Sequence, residues 1–157
     1  MTYDVRVREL IAQPIVSIRA TIANDEIMSF YTEAQDELRS YLEALNVAVA
    51  GPKMSLWHSS PQDSPTHTDI ETCLPVARPV PALGRIHAGE LPAGRVVYTI
   101  HSGPYDTLGD AFEAVWAYLQ QHGYAPAGPP RDLVLVGEDD VRDPVAYRTE
   151  VAWPIHS

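Results

Sequence analysis

The chain has a single cysteine, Cys73, among its 157 residues, which rules out an internal disulfide. Its first ten residues, MTYDVRVREL, lack a basic segment followed by an apolar run, so no secretory signal is read and the cytoplasm is the expected location. No stretch approaches the roughly 18 uninterrupted apolar residues that a bilayer span requires, because charges or prolines break every candidate; a membrane role is not expected. Positive charge is also scarce. Eleven Lys and Arg stand against 21 Asp and Glu, a formal net charge of −10, and the basic residues are scattered singly. A protein that neutralises a row of phosphates needs a row of cations, so direct nucleic-acid binding is disfavoured. The six histidines include no His-x-His pair and no helical pair four apart, which argues against a metal site. Gly84, Gly89, Gly94 and Gly103 fall in separate turns, so no phosphate-cradling loop is present. No cofactor is expected.

What is present suits one globular domain spanning residues 1–157. Hydrophobic residues make up 45% and charged residues 20%, while fourteen prolines point to a strand-rich fold with rigid corners. The scattered acids mostly keep the surface soluble.

Val5 to Ile11 alternates apolar and charged residues as a half-buried strand does, and Pro14 separates it from a second run, Ile15 to Ile22. Asn24 or Asp25 is placed to cap a helix whose apolar stripe is Ile27, Phe30, Tyr31, Ala34, Leu38, Tyr41, Leu42 and Leu45. Lys53 to His58 and Thr68 to Val76 read as a hairpin around a polar loop. The Pro-rich run Pro75 to Pro81, unable to pair within a sheet, is expected to join two halves: repeat 1 at about 3–77, a linker at about 78–83, repeat 2 at about 84–156. The second half repeats the order. Strands are expected at Arg85 to Gly89 and Arg95 to His101. A helix capped by Asp106 follows, with Leu108, Phe112, Val115, Trp116 and Leu119 inward and Gly123 at its end; strands at Asp132 to Gly137 and Val145 to Ile155 complete the half.

Self-similarity supports the division. Asp69 to Val76 aligns with Arg148 to Ile155, placing Glu71 on Glu150 and Pro75 on Pro154, and Gly51-Pro52 after the first helix matches Gly128-Pro129 after the second. The fold class expected is α+β: a duplicated β-α-β-β unit with pseudo-twofold symmetry, an antiparallel sheet, two helices and a ligand groove between the repeats. Along the last strand Tyr147, Thr149, Val151 and Trp153 share one face and Arg148, Glu150 and Ala152 the other.

His101-Ser102-Gly103-Pro104-Tyr105-Asp106-Thr107-Leu108 leads into an amphipathic helix. His122-Gly123-Tyr124, Asp143-Pro144, Tyr147-Arg148-Thr149-Glu150 and Trp153-Pro154-Ile155 follow in order. Together these segments resemble the GyrI-like family, best from Val96 to Ile155. The resemblance implies effector or multidrug binding, with a glutamate on the last strand receiving cationic aromatic ligands among tyrosines; by motif position that residue is Glu150. It also implies two other activities found in the family, hydrolysis of strained electrophiles and gyrase inhibition through a protein partner. No helix-turn-helix pattern is read at either end, so a direct operator-binding role is not expected.

The ligand-binding candidates are Glu150, its repeat partner Glu71, and the aromatics Tyr147, Trp153, Tyr105, Trp57 and Tyr98, whose rings can stack on a flat cation. The expected partner is an aromatic, cationic small molecule. Were the protein a hydrolase, Glu150 helped by Tyr147 would direct the water. His101 reads as a turn-bonding residue, Cys73 as a small strand residue, and Phe30, Tyr31 and Trp116 as core.

Overall fold

The computed structural model describes residues 2–156. Its strands are β1 (Arg6–Leu10), β2 (Gln13–Ala23), β3 (Met54–Trp57), β4 (His67–Pro75), β5 (His87–Leu91), β6 (Gly94–Ser102), β7 (Arg131–Val136) and β8 (Arg148–Ile155). The helices are α1 (Ile27–Leu45) and α2 (Leu108–His122). The class is mixed α+β, and the strand pairs below are all antiparallel. The chain forms two compact units, a central one of Ala12–Pro92 and a terminal one of Met1–Ile11 with Ala93–Ser157.

In the central unit the strand order is β3-β4-β2-β5. Side chains alternate faces along each strand. Val16 and Ile18 of β2 and Ile70 and Leu74 of β4 therefore turn to one side, where they meet Phe30, Ala34, Leu38 and Leu42 of α1. Truncating a fully buried leucine such as Leu38 to alanine would cost about 2–5 kcal/mol. The opposite face carries Ser17, Arg19, Asp69, Glu71 and Cys73, as the register Ser17↔Cys73, Arg19↔Glu71 requires.

The terminal unit repeats the plan as β7-β8-β6-β1. Val97, Val151 and Ile155 pack on Ala111, Val115 and Leu119 of α2. Each unit thus contains a β-α-β-β stretch, β2-α1-β3-β4 or β6-α2-β7-β8, and one added edge strand. The two sequence matches that mark the repeat touch each other. A Cβ on Gly51 would lie 3.3 Å from Pro75 Cγ, and one on Gly128 would lie 3.4 Å from Pro154 Cγ. The glycine of each Gly-Pro corner lies against the proline of β4 or β8, more tightly at Gly51 than at Gly128.

Several expectations need correction. Neither Asn24, Asp25 nor Asp106 caps its helix, because a single 3-10 turn (Asn24–Glu26 or Tyr105–Thr107) precedes each α-helix and moves its start past the Asx residue. Asn24 instead donates to Ser64 O at 3.1 Å and accepts from Thr68 Oγ1 at 2.7 Å, tying the loop to the strand. Pro75 does pair in the sheet: it lacks a donor, but it sits at the strand end and its carbonyl accepts from Ala50 N at 2.9 Å. The last strand begins at Arg148 rather than Val145, since Asp143 accepts from Val145 N at 3.1 Å and winds Pro144–Ala146 into a 3-10 turn. Trp116 is not core. It is 38% exposed at the rim of α2, where its ring meets Trp153 at 4.8 Å. The helix ends hold as read for Gly123, which takes the left-handed conformation at φ 67° that glycine adopts without strain. No helix among the described residues is long and apolar enough to cross a membrane.

Candidate functional site

Glu150 lies on the face of β8 turned away from α2, beside Ala152 and Arg148, and is only 4% exposed. A carboxylate so removed from water requires a cation or donors close by. Arg8 of β1 supplies the cation. Its Nη2 straddles both carboxylate oxygens at 2.7 and 2.6 Å. The sheet register explains the reach: Arg8 stands opposite Val96, Glu150 opposite Ile100, and Tyr98 lies between them on β6. The guanidinium crosses the Tyr98 ring with its carbon 4.2 Å from the ring centroid. Arg8 Nε is buried with no hydrogen-bond partner among the described residues, so the arginine meets the carboxylate through one nitrogen rather than with its two-pronged fork.

A second cluster in the same unit joins Tyr105 and Tyr147, stacked with centroids 5.0 Å apart. Tyr105 Oη donates to Glu138 at 3.0 Å. Burial, then the neighbouring Glu138 charge and its hydrogen bond, push the Tyr105 phenol well above its ordinary range and keep it neutral. Gly137 allows this approach, because a Cβ there would lie 2.6 Å from Val134 Cγ1 and 3.1 Å from Tyr105 Oη. His101 is fully buried and holds the turn, as the sequence suggests. Its Nε2 donates to Pro104 O at 3.0 Å, and its Nδ1 is hydrogen-bonded with Tyr3 Oη at 2.8 Å.

In the central unit Glu71 accepts from Ser17 Oγ at 2.6 Å and from His58 Nε2 at 2.8 Å. Because the acceptor is a carboxylate, the bonded histidine nitrogen is the one that carries hydrogen. Arg19 is engaged elsewhere, forking onto Asp69 at 3.0 and 2.8 Å. Its guanidinium holds the Asp69 carboxyl below the usual range.

Of the sequence candidates, Glu150 and Tyr98 come together, as do Tyr105 and Tyr147. Trp153 and Trp57 do not join the glutamates: each lies on the helix side of its sheet, packed against that unit's core. The sequence reading missed Arg8, His58, Ser17 and Glu138. Arg8 and Glu150 are separated by 142 positions, which no motif spacing connects. Among the described residues no group of three or more His, Cys, Asp or Glu side chains gathers as a metal would require.

The model of the GyrI-like small molecule binding domain matches residues 3–156. No curated protein matches the sequence. Solved structures share the fold at low identity. The EcmrR C-terminal domain superposes with a TM-score of 0.89 at 22% identity, covering 100% of this chain and 99% of that one. The EcmrR chain solved in a DNA complex gives the same TM-score and identity over 99% of this chain, which spans 58% of that chain's length. SAV2435 bound to tetraphenylphosphonium superposes at 0.69 with 14% identity, over 100% of this chain and 95% of that one. A hydrolase encoded by lin2189 from Listeria innocua superposes at 0.71 with 11% identity, over 97% and 91%.

Proposed function

This chain belongs to the GyrI-like small molecule binding domain family, and from that premise we propose that it takes up a flat, aromatic, cationic small molecule at Glu150, as a sensor or sequestering protein for a drug-like compound or effector. The observation that carries this reading is the Arg8–Tyr98–Glu150 stack. A cation lies over an aromatic face and against a buried carboxylate, which is the environment a delocalised organic cation needs. Arg8 fills it internally. Its side chain is 38% exposed and leaves Nε without a bond, so a ligand cation can displace it without removing a fully satisfied group. The tetraphenylphosphonium on SAV2435 shares the aromatic rings and the single positive charge of such a ligand, though its phosphorus centre is tetrahedral rather than flat.

The test is calorimetric titration of the full chain with tetraphenylphosphonium and with neutral triphenylphosphine oxide. Glu150→Gln should weaken the cation by about tenfold or more, the loss of one charge–charge attraction, since tetraphenylphosphonium donates no hydrogen bond, and leave the neutral compound unchanged. Equal losses for both compounds would defeat the charge-pairing reading. Hydrolysis through Glu150 and Tyr147 is the less favoured use of the site, because both Glu150 oxygens already accept from Arg8 and Tyr147 is stacked on Tyr105.

A further inference from the structure

The two units treat their matched glutamates differently, and the difference lies at one position. In the terminal unit Arg8 stands on the edge strand opposite Val96, which stands opposite Pro154. In the central unit the corresponding place, opposite Ile15, which stands opposite Pro75, is held by Gly89. Between that place and the glutamate the terminal unit has Tyr98, whereas the central unit has Ser17. Glu71 therefore lacks an arginine reaching from the edge strand. A Cβ added to Gly89 would meet nothing within 4 Å, so the route that the Arg8 side chain takes in the other unit begins here in open space.

Among the described residues no arginine is hydrogen-bonded to Glu71, although the Arg19 guanidinium lies near enough to interact with its charge. Arg19, directly opposite on β2, is forked onto Asp69. His58 and Ser17 each donate one hydrogen bond, and an ionised carboxylate has about four acceptor positions, so acceptor capacity remains. His87, opposite Ser17 on β5, faces the same side and is exposed. The Glu71 side chain is 17% exposed and so stays within reach of a solute.

We propose that Glu71, with Ser17 and His58 as its supporting donors and Gly89 as its open side, is a binding site for a small guanidinium compound, which would take the place that Arg8 holds beside Glu150. All its residues belong to the central unit, so it does not depend on the Glu150 reading. A planar guanidinium fits because its fork can engage the free edge of the carboxylate while its flat face passes over the small Ser17 and Gly89 positions.

Gly89→Arg tests the idea directly, since it would place a tethered guanidinium on the same route. The full chain is titrated with methylguanidinium chloride while NMR follows the His58 ring and the residue 89 amide. The wild type should show saturable shifts at both. Glu71→Gln should weaken binding by about tenfold or more. Gly89→Arg should abolish it and show, without ligand, the His58 shift of the saturated wild type. Glu150→Gln should bind methylguanidinium as the wild type does, which separates this site from the one for tetraphenylphosphonium. No saturable shift in the wild type, or full binding by folded Gly89→Arg, would overturn the proposal.

Discussion

Arg8 and Gly89 occupy equivalent places on the edge strands of the two units, one opposite Val96 and the other opposite Ile15. The repeat keeps the glutamate, the proline four residues later and the Gly-Pro corner, yet changes the residue that decides whether the glutamate has a built-in cation. Retained positions support backbone geometry, such as Gly51 against Pro75 and Gly128 against Pro154. The divergent position sits at a sheet edge, where a side chain changes what can be bound without disturbing the core.

The Arg8–Glu150 pair makes a prediction about stability as well as affinity. Arg8→Leu leaves the buried Glu150 carboxylate without its cation and should destabilise the protein by about 1–3 kcal/mol, below the range for fully buried pairs because Arg8 is partly exposed. Denaturant unfolding measures the loss. The double variant Arg8→Leu with Glu150→Gln should recover part of it, since the uncompensated charge is gone. Tetraphenylphosphonium should raise the melting temperature of Arg8→Leu more than that of the wild type, because the ligand then has no internal competitor. An equal rise in both proteins would mean that Arg8 does not compete for the site.

Tyr105 contributes to the alkaline behaviour, alongside Tyr3, whose phenol is raised by burial and by Asp110. The Tyr105 phenol is held above its ordinary value by burial and by Glu138, so the folded state keeps a proton that the unfolded chain releases near pH 10. Unfolding free energy should therefore fall as pH rises above about 10, with the full contribution present below that point. Tyr105→Phe should flatten this part of the profile and remove one late-titrating phenol from the absorbance at 295 nm. A profile unchanged by the substitution would locate the alkaline loss elsewhere.

Gly137→Ala should disturb the same cluster from the other side. The added Cβ meets Val134 Cγ1 at 2.6 Å and Tyr105 Oη at 3.1 Å, so either the loop or both neighbours must shift. Overpacking of this kind costs about 1–3 kcal/mol. The Tyr105 titration should move toward the ordinary phenol range as its contact with Glu138 loosens, which absorbance titration reads.

Much of the fold was legible because it rests on local pattern. The alternation in Val5 to Ile11 and the three-and-four spacing from Ile27 to Leu45 belong to single elements, and β1 and α1 lie within or on those bounds. The alternation of β8 also assigned Glu150 and Trp153 to opposite faces, and the structure keeps them there. The helix starts were misread because Asn24 and Asp106 lead into 3-10 turns whose presence depends on the loop and strand they contact. The site's polar partners were not legible. Arg8 to Glu150 and His58 to Glu71 are pairings across strands, set by register, and an isolated arginine or histidine in sequence looks like any solvated residue.

That separation of faces gives a last prediction, which tells ligand contacts from core aromatics. Tyr98 lies under the cation on the Glu150 face, whereas Trp153 packs on the helix side beside Trp116. Tyr98→Leu should weaken tetraphenylphosphonium by about two- to thirtyfold, the range of one cation–ring contact of 0.5–2 kcal/mol, with little change in the neutral phosphine oxide. Trp153→Leu should leave the affinity as it is and lower stability by about 1–3 kcal/mol, through lost apolar area and lost ring contact. Both variants are read by the same two measurements, calorimetric titration and denaturant unfolding. If Trp153→Leu lowered affinity as much as Tyr98→Leu while staying folded, the ligand would have to engage the helix side of the sheet, and Glu150 would lose its place as the anion that receives it.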